Sequence, residues 1–91
     1  MKKFVIEREL PGVGSFDGAQ LKGAAATSNE ALAKLEGKVQ WLQSYVVDDK
    51  TFCVYVAENE SLVHEHARLS GFPANKVSEV HTVIDPTTAS G

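Results

Sequence analysis

The sequence predicts an α+β fold with the order strand–helix–strand–strand–helix–strand, and three observations carry that prediction. β-Branched and aromatic residues concentrate in four separate segments. Two stretches between them have helical spacing, each opened by a capping residue and closed near a glycine. No linker long enough to split the 91 residues intervenes, so one domain is expected.

The first segment, KKFVIERE (2–9), reads as a strand that stops at Pro11-Gly12, because proline cannot donate to a ladder. Asp17 opens the first helix. Gln20 stands three residues later, as in a capping box, and Phe16 and Leu21 take the staple positions around it. Leu21, Ala24, Ala25, Ser28, Ala31, Leu32 and Leu35 keep a 3.6-residue rhythm, and Gly37 supplies a left-handed stop. The run Ala24-Ala25-Ala26 suits close approach to whatever the helix covers. Residues 38–47 and 50–58 form two strands of a hairpin around Asp48-Asp49. Asn59 caps a helix over 60–70, which Gly71 and Pro73 end. Residues 76–85 read as the last strand. The right-handed crossover rule places both helices on one face of a four-stranded antiparallel sheet, with the first and third strands central. This is the ferredoxin-like α/β sandwich, βαββαβ. The domain is expected to span 1–86, with 87–91 as a flexible tail.

Composition excludes several functions. The net charge is −3 and no basic cluster appears, so no nucleic-acid partner is expected, since phosphate binding needs clustered Lys/Arg. No run approaches the ~20 apolar residues of a membrane span, and MKKFVIERE lacks the apolar stretch of a signal peptide. The single Cys53 allows no internal disulfide and fits a reducing compartment. A cytoplasmic protein is expected. No organic-cofactor motif is present: Gly-x-Gly in PGVGS falls well short of a dinucleotide fingerprint.

Strand alternation sorts the side chains. In the first strand Phe4 and Ile6 are assigned to the helix side, and Val5, Glu7 and Glu9 to the open side. In the third, Phe52, Val54 and Val56 are assigned inward, and Cys53, Tyr55 and Ala57 outward. In the fourth, Val80 and Ile84 go inward, and Glu79, His81 and Val83 outward. Trp41, Gln43 and Tyr45 of the second strand are placed on the open face. That face would then carry Glu7, Trp41, Tyr45, Cys53, Tyr55, Glu79 and His81, too aromatic to stand in water and too polar for a plain core. It reads either as a homodimer interface or as a cleft with converging polar groups, with Trp41, Tyr45, Cys53 and Tyr55 as pocket residues. The two are compatible.

The stretch SLVHEHARLSGFPA (61–74) holds two histidines. At 100° per residue they lie roughly 160° apart around the helix and cannot chelate one ion together. His-Glu-x-x-His spacing is absent. Helical phase puts His64 on the water side. His66 falls among Leu62, Val63 and Leu69, as a core histidine or an acid/base or ligand residue.

Three runs, FVIERELPGVG, QWLQSYVVDDKTFCVYVAENE and HARLSGFPANKVSEVHTVIDPTT, together resemble a family of small bacterial proteins of unassigned role, labelled nickel-binding or nickel-responsive. The resemblance covers nearly the whole chain. It implies a ferredoxin-like sandwich, a homodimer and nickel or another divalent transition metal, and it implies no established enzyme activity. Imidazole and carboxylate suit such an ion. Glu7, Glu79 and His81 are the candidate ligands by their expected face, with His66 as the alternative. The other function expected is a small-molecule binder or enzyme, a dimeric α+β barrel using the aromatic open face as its pocket.

Overall fold

The structure, a computed structural model, describes residues 1–90. Strands β1 (Lys2–Glu9), β2 (Val39–Val46), β3 (Lys50–Ala57) and β4 (Lys76–Val80) form one sheet in the order β2-β3-β1-β4. All three pairings are antiparallel. Helices α1 (Gly18–Lys34) and α2 (Glu60–Ser70) are the crossovers. Tyr55 of β3 touches both Ser28 of α1 and His66 of α2, so the helices share one face of the sheet. This is the ferredoxin-like α+β sandwich, with β1 and β3 central.

Local chemistry sets the element ends. The Asp17 carboxylate accepts from the Gln20 N–H at 2.8 Å, and the Gln20 side chain accepts from the Asp17 N–H at 3.0 Å. Asn59 caps α2 through the Leu62 N–H at 3.1 Å, and Gly71 closes it. After α1 the chain needs two successive left-handed residues, Glu36 at φ 53° and Gly37 at φ 81°. Gly14 answers a different need. The 10–14 loop docks on the β2–β3 turn, with Leu10 N–H on the Asp49 carbonyl and Gly14 N–H on the Asp48 carbonyl, each at 2.9 Å. A Cβ at Gly14 would stand 2.8 Å from the Val47 oxygen and the Asp48 Cα. The PGVGS segment is therefore a docked turn.

Three expected placements are overturned. First, the phase of β3 is reversed. Phe4 stands opposite Tyr55 and Ile6 opposite Cys53, so Thr51, Cys53, Tyr55 and Ala57 face the helices while Phe52, Val54 and Val56 face away. Both rows are apolar, so alternation does not choose between them; pairing with β1 does. Second, Trp41 is separated from Gln43 and Tyr45. A bulge between Trp41 and Gln43 makes Leu42 the extra residue, and Trp41 pairs with Tyr55 on the helix side while Tyr45 pairs with Phe52 on the open side. Third, β4 ends at Val80. Glu79 stands opposite Phe4 and so belongs to the helix side, and Val80, opposite Lys3, to the open side. His81 lies beyond the strand, and Val83 and Ile84 are 68% and 75% exposed. The β1–β4 ladder ends at the Lys3–Val80 pair. An exposed 3-10 turn, Pro86–Ser90, follows; Gly91, the last residue of the expected tail, lies outside the described residues.

Candidate ligand-binding site

The space between α1 and the sheet is incompletely filled. Three of the four α1 positions that line it are small, Ala24, Ala25 and Ser28 beside Leu21, and they leave a cavity of about 290 Å³ instead of drawing the helix down. Loop residues Leu10, Val13 and Phe16 close one side, Trp41 and Val46 of β2 another, and Phe72 a third. The floor is the row Arg8, Thr51, Cys53 and Tyr55.

Arg8 is the unusual member of that floor. It continues the inward row of Phe4 and Ile6 and is only 2% exposed. Nη1 donates to the Pro73 carbonyl at 2.8 Å and more weakly to that of Phe72 at 3.4 Å. The guanidinium carbon lies 5.9 Å from the Tyr55 ring centre and 5.8 Å from that of Phe72, within cation–π range. Among the described residues no carboxylate pairs with it, and Nη2 has no hydrogen-bond partner. A buried cation without a counter-ion is costly, on the order of several kcal/mol.

Behind this floor runs a chain of neutral polar groups. The Tyr55 hydroxyl lies 3.3 Å from Ser28 Oγ, which lies 3.2 Å from His66 Nε2. Tyr55 meets the His66 ring at a tilt, centres 4.8 Å apart, and stacks on Trp41 at 6.5 Å. Burial pushes the Tyr55 phenol up from its ordinary value. Burial, with the Arg8 cation adding to it, pulls His66 down to about 4. His66 is fully buried and its Nδ1 has no partner. Ser28 and His66 have the distance of a nucleophile–base pair. A base near 4, with no group to orient its second nitrogen, is far from the value that activates a hydroxyl at pH 7.

The residues expected to hold a metal are dispersed. Glu7 is on the open face, opposite Phe52 and Lys76, with its carboxylate 3.8 Å from Lys50 Nζ. Glu79 is on the other face, 3.9 Å from Lys2 Nζ. His81 is exposed past the end of β4. His66 is enclosed in the Ser28–Tyr55 chain. His64 is exposed, as helical phase requires, with Nε2 3.1 Å from a Glu60 oxygen. Glu65 and Arg68 pair on the same surface. Among the described residues no three His, Cys, Asp or Glu side chains gather closely enough to hold an ion. Of the expected pocket residues, Trp41, Cys53 and Tyr55 do share one cavity, under the helices and not on the open face; Tyr45 is left outside it. Arg8, the cavity's cation, was not among the expected site residues, although its parity with Phe4 and Ile6 signals it.

A family model described as "Nickel responsive protein SCO4226-like" matches residues 4–80. The chain belongs to the SCO4226-like family of nickel responsive proteins. A solved structure, SCO4226 from Streptomyces coelicolor A3(2), superposes with a TM-score of 0.74, covering 90% of this chain and 99% of that one. At 15% identity that likeness concerns the fold. No curated protein matches the chain. Nickel responsiveness is what the family description gives, and among the described residues of one chain no group of three donors forms a site for such an ion.

Proposed function

We propose that this chain is a small-ligand binding protein that acts as a homodimer. The observation that supports the ligand role is the helix–sheet cavity, whose wall is largely apolar with a few polar groups, the usual make-up of a small-molecule site. The pairing role rests on the open sheet face. Val5, Phe52, Val54, Val56 and Val80 line it, and no helix of the same chain covers them. A buried lone cysteine suits a reducing compartment, and we place the protein in the cytoplasm. The hydrogen-bonded Ser28–His66 pair serves the packing of this wall; its weak base favours binding over turnover.

The experiment uses Trp41, the single tryptophan, which lines the cavity. Its emission should shift on titration with a neutral aromatic probe, 2-phenylacetamide. Ala25→Phe, which fills the cavity from α1, should abolish the response. If wild type and Ala25→Phe respond alike, the cavity is not the site.

Nickel is the second reading, and the family description supports it. The strongest donor pair is Glu60 and His64, one helical turn apart and exposed on α2. Two donors are half a site, so a second copy or solvent would supply the remainder. Calorimetric titration with nickel chloride should then lose its heat in His64→Ala. Loss in His81→Ala alone would instead place the ion at the exposed end of β4.

A further inference from the structure

We infer that the cavity under α1 takes a small organic carboxylate, an apolar body carrying one negative charge, which Arg8 binds. The inference rests on the cavity being a ligand site and adds the class of ligand. Arg8 lines the cavity, is almost completely buried, and has an unpartnered Nη2. Its Nη1 is already committed to the Pro73 carbonyl, whereas Nη2 is enclosed and unpartnered, the donor that a small shift of the side chain would present to an acceptor in the cavity. Two aromatic rings flank the cation and hold water away from it. In such surroundings an anion gains far more from a guanidinium than it would at the surface.

The cavity also limits what the anion is. No lysine and no second arginine lines it, so a phosphate dianion would be left with an unpaired charge in apolar surroundings. A single carboxylate balances a single arginine. At about 30 Å³ per water-sized group, 290 Å³ holds roughly ten non-hydrogen atoms. That admits an arylacetic or medium-chain aliphatic acid. The hydroxyls of Ser28, Ser44, Thr51 and Tyr55 are the other polar groups of the wall.

The test compares phenylacetate with its neutral amide, 2-phenylacetamide, on the wild-type protein at fixed ionic strength, with inorganic phosphate as a third titrant. Phenylacetate should bind at least tenfold more tightly than the amide, and phosphate should not compete. Arg8→Met should remove the preference for the acid while keeping amide binding; Arg8→Lys should retain part of it. The acid-to-amide ratio is read on wild type, so it decides even if Arg8→Met fails to fold. Equal affinity for acid and amide would overturn the inference, leaving Arg8 as a tie to the 72–73 carbonyls and the cavity as a site for neutral ligands. Competition by phosphate would overturn the monoanion assignment. If neither organic probe binds, the cavity reading fails with it.

Discussion

Acidification from pH 7.5 to 4 should destabilise this protein most strongly through His66. The folded chain holds His66 neutral down to about pH 4, because burial and the Arg8 cation both oppose protonation. The unfolded chain takes up that proton near 6.5. Stability is therefore fully present above pH 6.5 and is lost progressively as pH falls towards 4, below which this group costs nothing more. At about 1.4 kcal/mol per pH unit the loss comes to about 3 kcal/mol, a large share of the ~5–15 kcal/mol typical of a domain. Urea unfolding at pH 7.5, 6, 5 and 4 measures it, with His66→Gln as the control that does not titrate. Glu65, held below the usual carboxylate range by its bond to Arg68, and Asp85, lowered by its bonds to Thr87, lose their own contributions in acid. Both are present in wild type and control, so the difference isolates His66. Parallel pH profiles for the two proteins would refute the reasoning, as would a His66 ring titrating above pH 6 by NMR.

Three further outcomes are expected. His66→Ala should lower stability by about 1–3 kcal/mol or more, through lost packing and an orphaned Ser28–Tyr55 pair, whereas His64→Ala should change it by less than about 0.5 kcal/mol; equal effects would contradict the burial difference. Gly14→Ala should cost about 1–3 kcal/mol, because the new methyl meets backbone atoms of Val47 and Asp48 that cannot rotate away; an unchanged urea midpoint would show that the turn is free to shift. Val54→Asp, at the centre of the open face, should convert a homodimer to monomer in sedimentation velocity while leaving the circular dichroism intact; a wild type that is already monomeric would remove the dimer.

Much of the architecture is legible in the sequence because its punctuation is local. Asp17 with Gln20, Asn59, and Gly71 before Pro73 each fix a helix end through bonds spanning three or four residues. The burial of His66 follows equally well from helical phase. What the sequence leaves open is decided by partners far along the chain. Phe52, Val54 and Val56 are as apolar as Cys53, Tyr55 and Ala57, and only the pairing of Phe4 with Tyr55 assigns them to faces. Trp41 moves under the helices because of one extra residue, Leu42, which no alternation rule reveals. The expected grouping of Glu7, Glu79 and His81 depended on register, and β4 pairs with Lys76 opposite Glu7, leaving His81 beyond the sheet. Of the expected pocket aromatics, Trp41 and Tyr55 line the cavity and Tyr45 does not, and the cavity lies on the face opposite to the expected one. Arg8 was readable from parity alone, since a strand that buries residues 4 and 6 buries 8 as well.

The central claim is that the ligand site lies between α1 and the sheet, with Arg8 as its charged end. An NMR titration of labelled protein with phenylacetate tests it directly. The account predicts that shift changes concentrate on Ala24, Ala25, Thr51 and Cys53 and on the Arg8 side chain, with Val5, Val54 and Tyr45 unmoved. Changes confined to Val5, Val54 and Tyr45 would place the site on the open face and contradict the account.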